Sequence, residues 1–216
     1  MSDLFTDRAA AGRALADRLQ AYAGRKDVVV LALPRGGVPV AAEVARALGA
    51  PLDLLIVRKL GAPRQPELAL GAIASAGAMH IDSKIVASCG VSARQLDEII
   101  AAESLEVIRR HALYCGKRAA VPVDGRTVIV VDDGVATGAS MRAALVALRS
   151  AKPAWIVVAV PVAPAEAQEL IGTAADEFVC VLSPPDFRGL DQYYLDFAQT
   201  GDDQVRDLLA RAQPAA

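Results

Sequence analysis

The chain has 216 residues, with 23 Lys and Arg against 25 Asp and Glu and a formal net charge of −2. Charge this close to balance excludes a broad basic surface for nucleic acid, and 54% apolar residues supply the core of one domain, residues 1–216. Three cysteines, Cys89, Cys115 and Cys180, show neither a disulfide framework nor a zinc pattern, so a reducing, cytoplasmic setting is expected. The opening MSDLFTDRAAAGR lacks the apolar stretch of a signal peptide, and no apolar run is long enough to cross a bilayer.

In chain order, Ala11, Ala14, Leu15, Leu19 and Tyr22 form the apolar stripe of a first helix closed by Gly24. Residues 28–33 (VVVLAL) predict a buried strand, and Pro34-Arg35-Gly36-Gly37 turns into a helix carrying Ala41, Val44, Ala45 and Leu48. A second strand, 52–57, leads to the loop RKLGAPRQPE (58–67), and short strands are predicted at 69–75 and 79–81. Ser92 and Gln95 make a capping box for a long helix through Leu96, Ile100, Val107 and Ile108. His111 on that helix stands next to Arg109 and Arg110 and reads as solvated. Strand 127–132, a helix, strand 155–160, a short helix from Pro164 to Ile171 and strand 177–182 follow. Residues 183–200 read as irregular, and a last helix carries Val205, Leu208 and Leu209. Apolar strands alternating with helices predict an α/β fold with a doubly wound, mainly parallel sheet. A small hood segment is expected, with accessory elements from 82–118 and 183–212.

The most informative stretch is VIVVDDGVATGAS, 128–140. A β-branched strand ends on two carboxylates, Asp132 and Asp133. A turn with Gly134, Thr137, Gly138 and Ser140 then opens a helix whose apolar face carries Met141, Ala144, Leu145 and Leu148. A helix N-terminus offers unpaired N–H groups and partial positive charge to a phosphate. Glycines let backbone approach that phosphate, and Thr137 and Ser140 add hydroxyls. Two carboxylates beside a phosphate make sense if they hold sugar hydroxyls, or a Mg²⁺ bridging to other phosphates. A ribose 5-phosphate satisfies both ends. The bland reading is a strand and helix with an acidic cap. Neither GxxxxGK[ST] nor a strand-linked GxGxxG occurs.

Two more loops follow strands and are predicted to meet the motif on one sheet edge. In PRGG, Arg35 beside Gly36 and Gly37 suits an anion; otherwise it is a helix-starting turn with a surface arginine. Loop 58–67 carries Arg58, Lys59 and Arg64, which suit a polyanion or a solvated face. Its Gly61, Pro63 and Pro66 predict a hinged, mobile segment. Glu67 is its single carboxylate, either a general base or a surface ion-pair partner.

The 128–140 stretch resembles the 5-phosphoribosyl 1-pyrophosphate (PRPP) motif of the type I phosphoribosyltransferases. PRGG, VRKLGAP and the aromatic tail are similar to an uncharacterised bacterial branch of that family. The resemblance implies that Asp132 and Asp133 contact the ribose hydroxyls and position the ring in catalysis. It implies that Ala136, Thr137, Gly138, Ala139 and Ser140 cradle the 5-phosphate. It places Arg35, Gly36, Gly37, Lys59 and Arg64 on the pyrophosphate, with Glu67 as candidate base. Mg²⁺ is implied as a companion of PRPP, with Asp132 and Asp133 as possible ligands. The family's first loop often holds a cis peptide, here at Pro34–Arg35. Phe187 matches a base-stacking aromatic, although Phe187, Tyr193, Tyr194 and Phe197 serve equally to pack a subdomain.

Many 6-oxopurine enzymes of the family carry an acid where this chain has Ala136, which argues against hypoxanthine or guanine. The reading is therefore transfer of ribose 5-phosphate from Mg²⁺·PRPP to an unidentified, nitrogenous small-molecule acceptor, with release of pyrophosphate. A homodimer is expected, with no nucleic-acid or membrane partner. The rival is a regulatory protein that senses PRPP or a nucleotide without turnover. A hydrolase or phosphorylase acting on a ribosyl phosphate is a third reading.

Overall fold

The computed structural model describes residues 4–212 except 64, 76–77 and 117, and leaves the side chains of Pro66 and Glu67 undescribed. Five parallel strands form the main sheet: β1 (Val28–Ala32), β2 (Leu52–Leu54), β6 (Thr127–Val131), β7 (Trp155–Val162) and β8 (Glu177–Leu182). Their spatial order is β2-β1-β6-β7-β8. Both faces of this sheet are covered, which is why its strands read as continuous apolar runs rather than alternating ones. Val28, Val30 and Ala32 of β1 and Ile129 and Val131 of β6 pack against α1 (Arg8–Arg18), α2 (Gly37–Leu48) and α7 (Asp202–Arg211). Val29, Leu31, Val128 and Val130 face the opposite way, onto Met141, Leu145 and Leu148 of α5 (Ala139–Ser150).

The second sheet is antiparallel, ordered β3-β4-β5 from β3 (Val57–Ala62), β4 (Gln65–Ala74) and β5 (Met79–Ile81). Here the structure departs from the loop predicted for 58–67. Leu60, Ala62 and Leu70 are buried against α3 (Ser83–Ser88) and α4 (Ala93–Cys115). That alternating burial holds the segment as a strand pair despite its glycine and prolines. The register shifts of the pair fall at Gly61. The second core strand is correspondingly shorter than predicted. The short α6 (Ala167–Ile171) joins β7 to β8. The capping box of Ser92 and Gln95 is present at the start of α4. Among the described residues no helix is long and apolar enough to cross a membrane.

After β2 the chain returns to the other side of β1, so the winding reverses between β1 and β6. In open α/β sheets the carboxyl-end crevice at such a reversal is where ligands bind. Both PRGG and the acidic pair stand there.

Candidate active site

β1 and β6 pair in parallel with Ala32 opposite Val131, and the Leu33 N–H continues the pairing to the Val131 carbonyl at 2.9 Å. PRGG and Asp132-Asp133 are thus side by side. The Pro34–Arg35 bond is cis. A Cβ at Gly37 would lie 2.7 Å from the Val131 carbonyl oxygen, and one at Gly36 would fall on Asp133 Oδ2. The two glycines therefore let the loop close directly onto the acidic pair.

Asp132 accepts the Asp133 N–H at 2.9 Å. Burial and the neighbouring Asp133 charge push its carboxyl well above the ordinary range. Gly138 adopts φ 72° as the N-cap of α5, a left-handed conformation that favours glycine. Ala136, Thr137, Ala139 and Ser140 are exposed around it.

A cavity of about 750 Å³ opens above this edge, lined by Pro34, Arg35, Lys59, Asp132, Ala139 and Ser140. Residues of all three predicted segments therefore line one cavity, Lys59 doing so from strand β3 rather than from a loop. Alternation along β3 explains Lys59: Arg58 bonds Glu103 of α4 at 2.6 Å, and its neighbour contributes to the cavity. Arg109, Arg110, Leu113 and Tyr114 of α4 and Asp202 of α7 complete the wall. Tyr114 donates to Asp202 Oδ1 at 2.9 Å, and Arg35 Nη1 reaches the same oxygen at 3.4 Å. Arg109 and Arg110 both hold Glu106 and push its carboxyl down to about 2. The arrangement brings guanidinium and ammonium groups, a helix N-terminus and a carboxyl of suppressed acidity to one cavity. A phosphorylated sugar with a second anionic group matches that layout.

A family model described as the phosphoribosyl transferase domain matches residues 3–198. The chain belongs to that family. It is 45% identical over 209 residues to the "Putative phosphoribosyl transferase MT0597" of Mycobacterium tuberculosis, covering 97% of this chain and 47% of that protein. The chain thus spans about half the length of the curated relatives it matches. The crystal structure of TT1426 from Thermus thermophilus superimposes with a TM-score of 0.84 at 42% identity, covering 98% of this chain and all of that one.

Within this phosphoribosyl transferase domain the remaining predicted residues fall elsewhere. Arg64 and the Glu67 side chain lie outside the described residues. Phe187 stacks on Tyr193 with centroids 6.0 Å apart, in a cluster around Val162 and Tyr194, and is not among the residues lining the cavity. Asp133 is likewise not among the residues lining the cavity; its Oδ2 accepts from Arg8 Nε at 2.8 Å.

His111 differs from expectation. It is largely buried, with Nε2 3.6 Å from Asp53 Oδ1 in the middle of β2. Cys115 Sγ is 3.7 Å from the same oxygen, so a Cys-His-Asp group exists that spacing did not reveal. Arg118 already pairs with Asp53 at 2.7 Å, and Asp53 also accepts from the Leu54 and Val121 N–H groups. Its charge is spent on that network, which ties α4 to the main sheet. The cavity residues that sequence reasoning passed over, Asp202 and Tyr114, carry no local motif. They reach the site only through the packing of α4 and α7.

Proposed function

We propose that this domain binds Mg²⁺·PRPP in the cavity and transfers its ribose 5-phosphate to a nitrogenous small-molecule acceptor, releasing pyrophosphate. One observation carries the reading: the acidic pair and hydroxyl-rich turn stand at the β1/β6 reversal, and Arg35 and Lys59 line the same cavity. The 5-phosphate sits on the turn 136–140, against backbone N–H groups of the first turn of α5 and the hydroxyls of Thr137 and Ser140. Asp132 and Asp133 orient the ribose. As the acceptor nitrogen attacks the anomeric carbon, the bond to pyrophosphate breaks and positive charge develops on the ring. The oxygens of the acidic pair, as fixed dipoles beside the ring, help stabilise that state. Arg35, Gly36, Gly37 and Lys59 receive the departing pyrophosphate, with Arg64 as a further cation. Metal bound to the diphosphate supplies further neutralisation of the leaving group. Glu67 is the proposed proton acceptor, Phe187 the proposed platform for the base, and the setting a cytoplasmic homodimer.

The test is pyrophosphate release from Mg²⁺·PRPP against purine, pyrimidine and pyridine acceptors, with an acceptor-free control. Release that requires one acceptor supports transfer and names the substrate. Release without acceptor points to hydrolysis instead. PRPP binding with no release in any arm favours a regulatory binding protein, which the absence of an acid at Ala136 also accommodates.

A further inference from the structure

We propose that Arg8 is a positioning residue of the site, holding Asp133 so that the acidic pair serves neutral sugar hydroxyls and does not take a divalent metal ion. The proposal rests on the functional reading above. Its observation is a contact that the motif alone does not contain, between Arg8 of α1 and Asp133.

Arg8 is the first residue of α1, whose N-cap Asp7 accepts the Ala10 N–H at 2.7 Å. Its guanidinium is fixed on three sides. Nε donates to Asp133 Oδ2 at 2.8 Å, Nη1 donates to the Ala198 carbonyl at 2.7 Å, and Cζ lies 4.0 Å from the ring centroid of Phe197. The two side chains are only 11% and 13% exposed, so water screens the pair weakly. The aromatic tail completes the clamp. Tyr194 donates its hydroxyl to the Asp133 carbonyl at 2.6 Å and stacks on Phe197 at 4.8 Å. Backbone bonds from Phe5 to Tyr193 and from Leu195 back to Phe5 hold that tail beside α1. Gly36 also packs against Asp133 Oδ2, where a Cβ would collide with it.

A metal ion at the acidic pair needs carboxylate charge and several oxygens in near-octahedral array. Here Asp133 is neutralised by a guanidinium held against it, and a dication would meet that like charge in a poorly screened place. A hydroxyl carries no charge and donates to a carboxylate oxygen without that repulsion. The donor set therefore fits a sugar and does not fit Mg²⁺, which must enter on the diphosphate.

The experiment uses the whole chain with Mn²⁺ as paramagnetic probe and metal-free ribose 5-phosphate as sugar probe. Bound Mn²⁺ is counted by electron paramagnetic resonance, and sugar phosphate affinity is read by calorimetry, in wild type, Arg8→Gln, Arg8→Lys and Asp133→Asn. The wild type and Arg8→Lys are expected to bind no Mn²⁺ at the pair. Arg8→Gln gains one site and loses about tenfold in ribose 5-phosphate affinity, the equivalent of one hydrogen bond. A structural role alone lowers the melting temperature and creates no metal site. Mn²⁺ bound by the wild type and lost in Asp133→Asn overturns the proposal. So does a folded Arg8→Gln with neither change. If Arg8→Gln does not fold, the comparison of wild type with Asp133→Asn still decides. A wild type that binds no ribose 5-phosphate contradicts the functional reading, while the Mn²⁺ arms continue to judge Arg8.

Discussion

Gly36, a residue with no side chain, stands directly against a carboxylate of the site. Gly36 leaves no room for a Cβ beside Asp133 Oδ2. Gly36→Ala is therefore expected to push that carboxylate off Arg8 and to weaken Mg²⁺·PRPP binding by about tenfold or more, as calorimetry checks. An affinity within twofold of the parent contradicts this. Asp132 makes the complementary case, a residue kept at a cost to stability. Its carboxyl is pushed up by burial and by Asp133, so between the ordinary range near pH 4 and its raised value the folded state holds a proton that the unfolded chain has released. Stability on this account falls as pH rises through that window. Asp132→Asn removes the loss. Urea unfolding should find the variant more stable than the parent at pH 8, with the difference vanishing at about pH 4, each unit of upward shift being worth about 1.4 kcal/mol. A variant less stable than the parent at pH 8 refutes the assignment.

At the scale of elements, α5 does two jobs with opposite faces of one end. Its first turn faces the cavity through Ala139 and Ser140, and Met141, Leu145 and Leu148 bury against β6. Leu145 is fully buried, and Leu145→Ala should cost about 3 kcal/mol in chemical denaturation. The retained turn sequence should leave ribose 5-phosphate binding to the folded protein intact. This unit was legible in the sequence because everything that defines it is local: a β-branched strand, two acids, glycines at the turn, and apolar residues at helical spacing. The segment 57–74 was not. Its period-two burial is set by partners at a distance, Ile85, Leu96, Ile99 and Ile100 of α3 and α4. Read alone, Gly61, Pro63 and Pro66 outweigh Leu60, Ala62 and Leu70. His111 was misplaced for a related reason, since its neighbours Arg109 and Arg110 are polar and Asp53, which receives it, lies 58 positions earlier in the chain.

For the whole molecule, winding order does what no single motif can. The reversal between β1 and β6 brings PRGG to the acidic pair, and the parallel crossovers were implied by the alternation of apolar strands with helices. Convergence of PRGG with the acidic turn followed from that rule, whereas Lys59 reaches the cavity from β3 of the second sheet. The cavity wall built by α4 and α7, and the clamp on Asp133 built by α1 and the aromatic tail, did not, because Arg8, Tyr114, Asp202 and Phe197 come from both ends and the middle of the chain. They meet only when α1 and α7 pack on one face of the sheet. Family membership fixes the architecture; the chemistry still depends on what the cavity holds. The most direct test is calorimetric titration of Mg²⁺·PRPP into the full chain beside the Asp132→Asn/Asp133→Asn double variant. A single saturable site in the parent, abolished in the double variant, is the predicted result. No binding by the parent, or unchanged affinity in the variant, contradicts the assignment of this cavity.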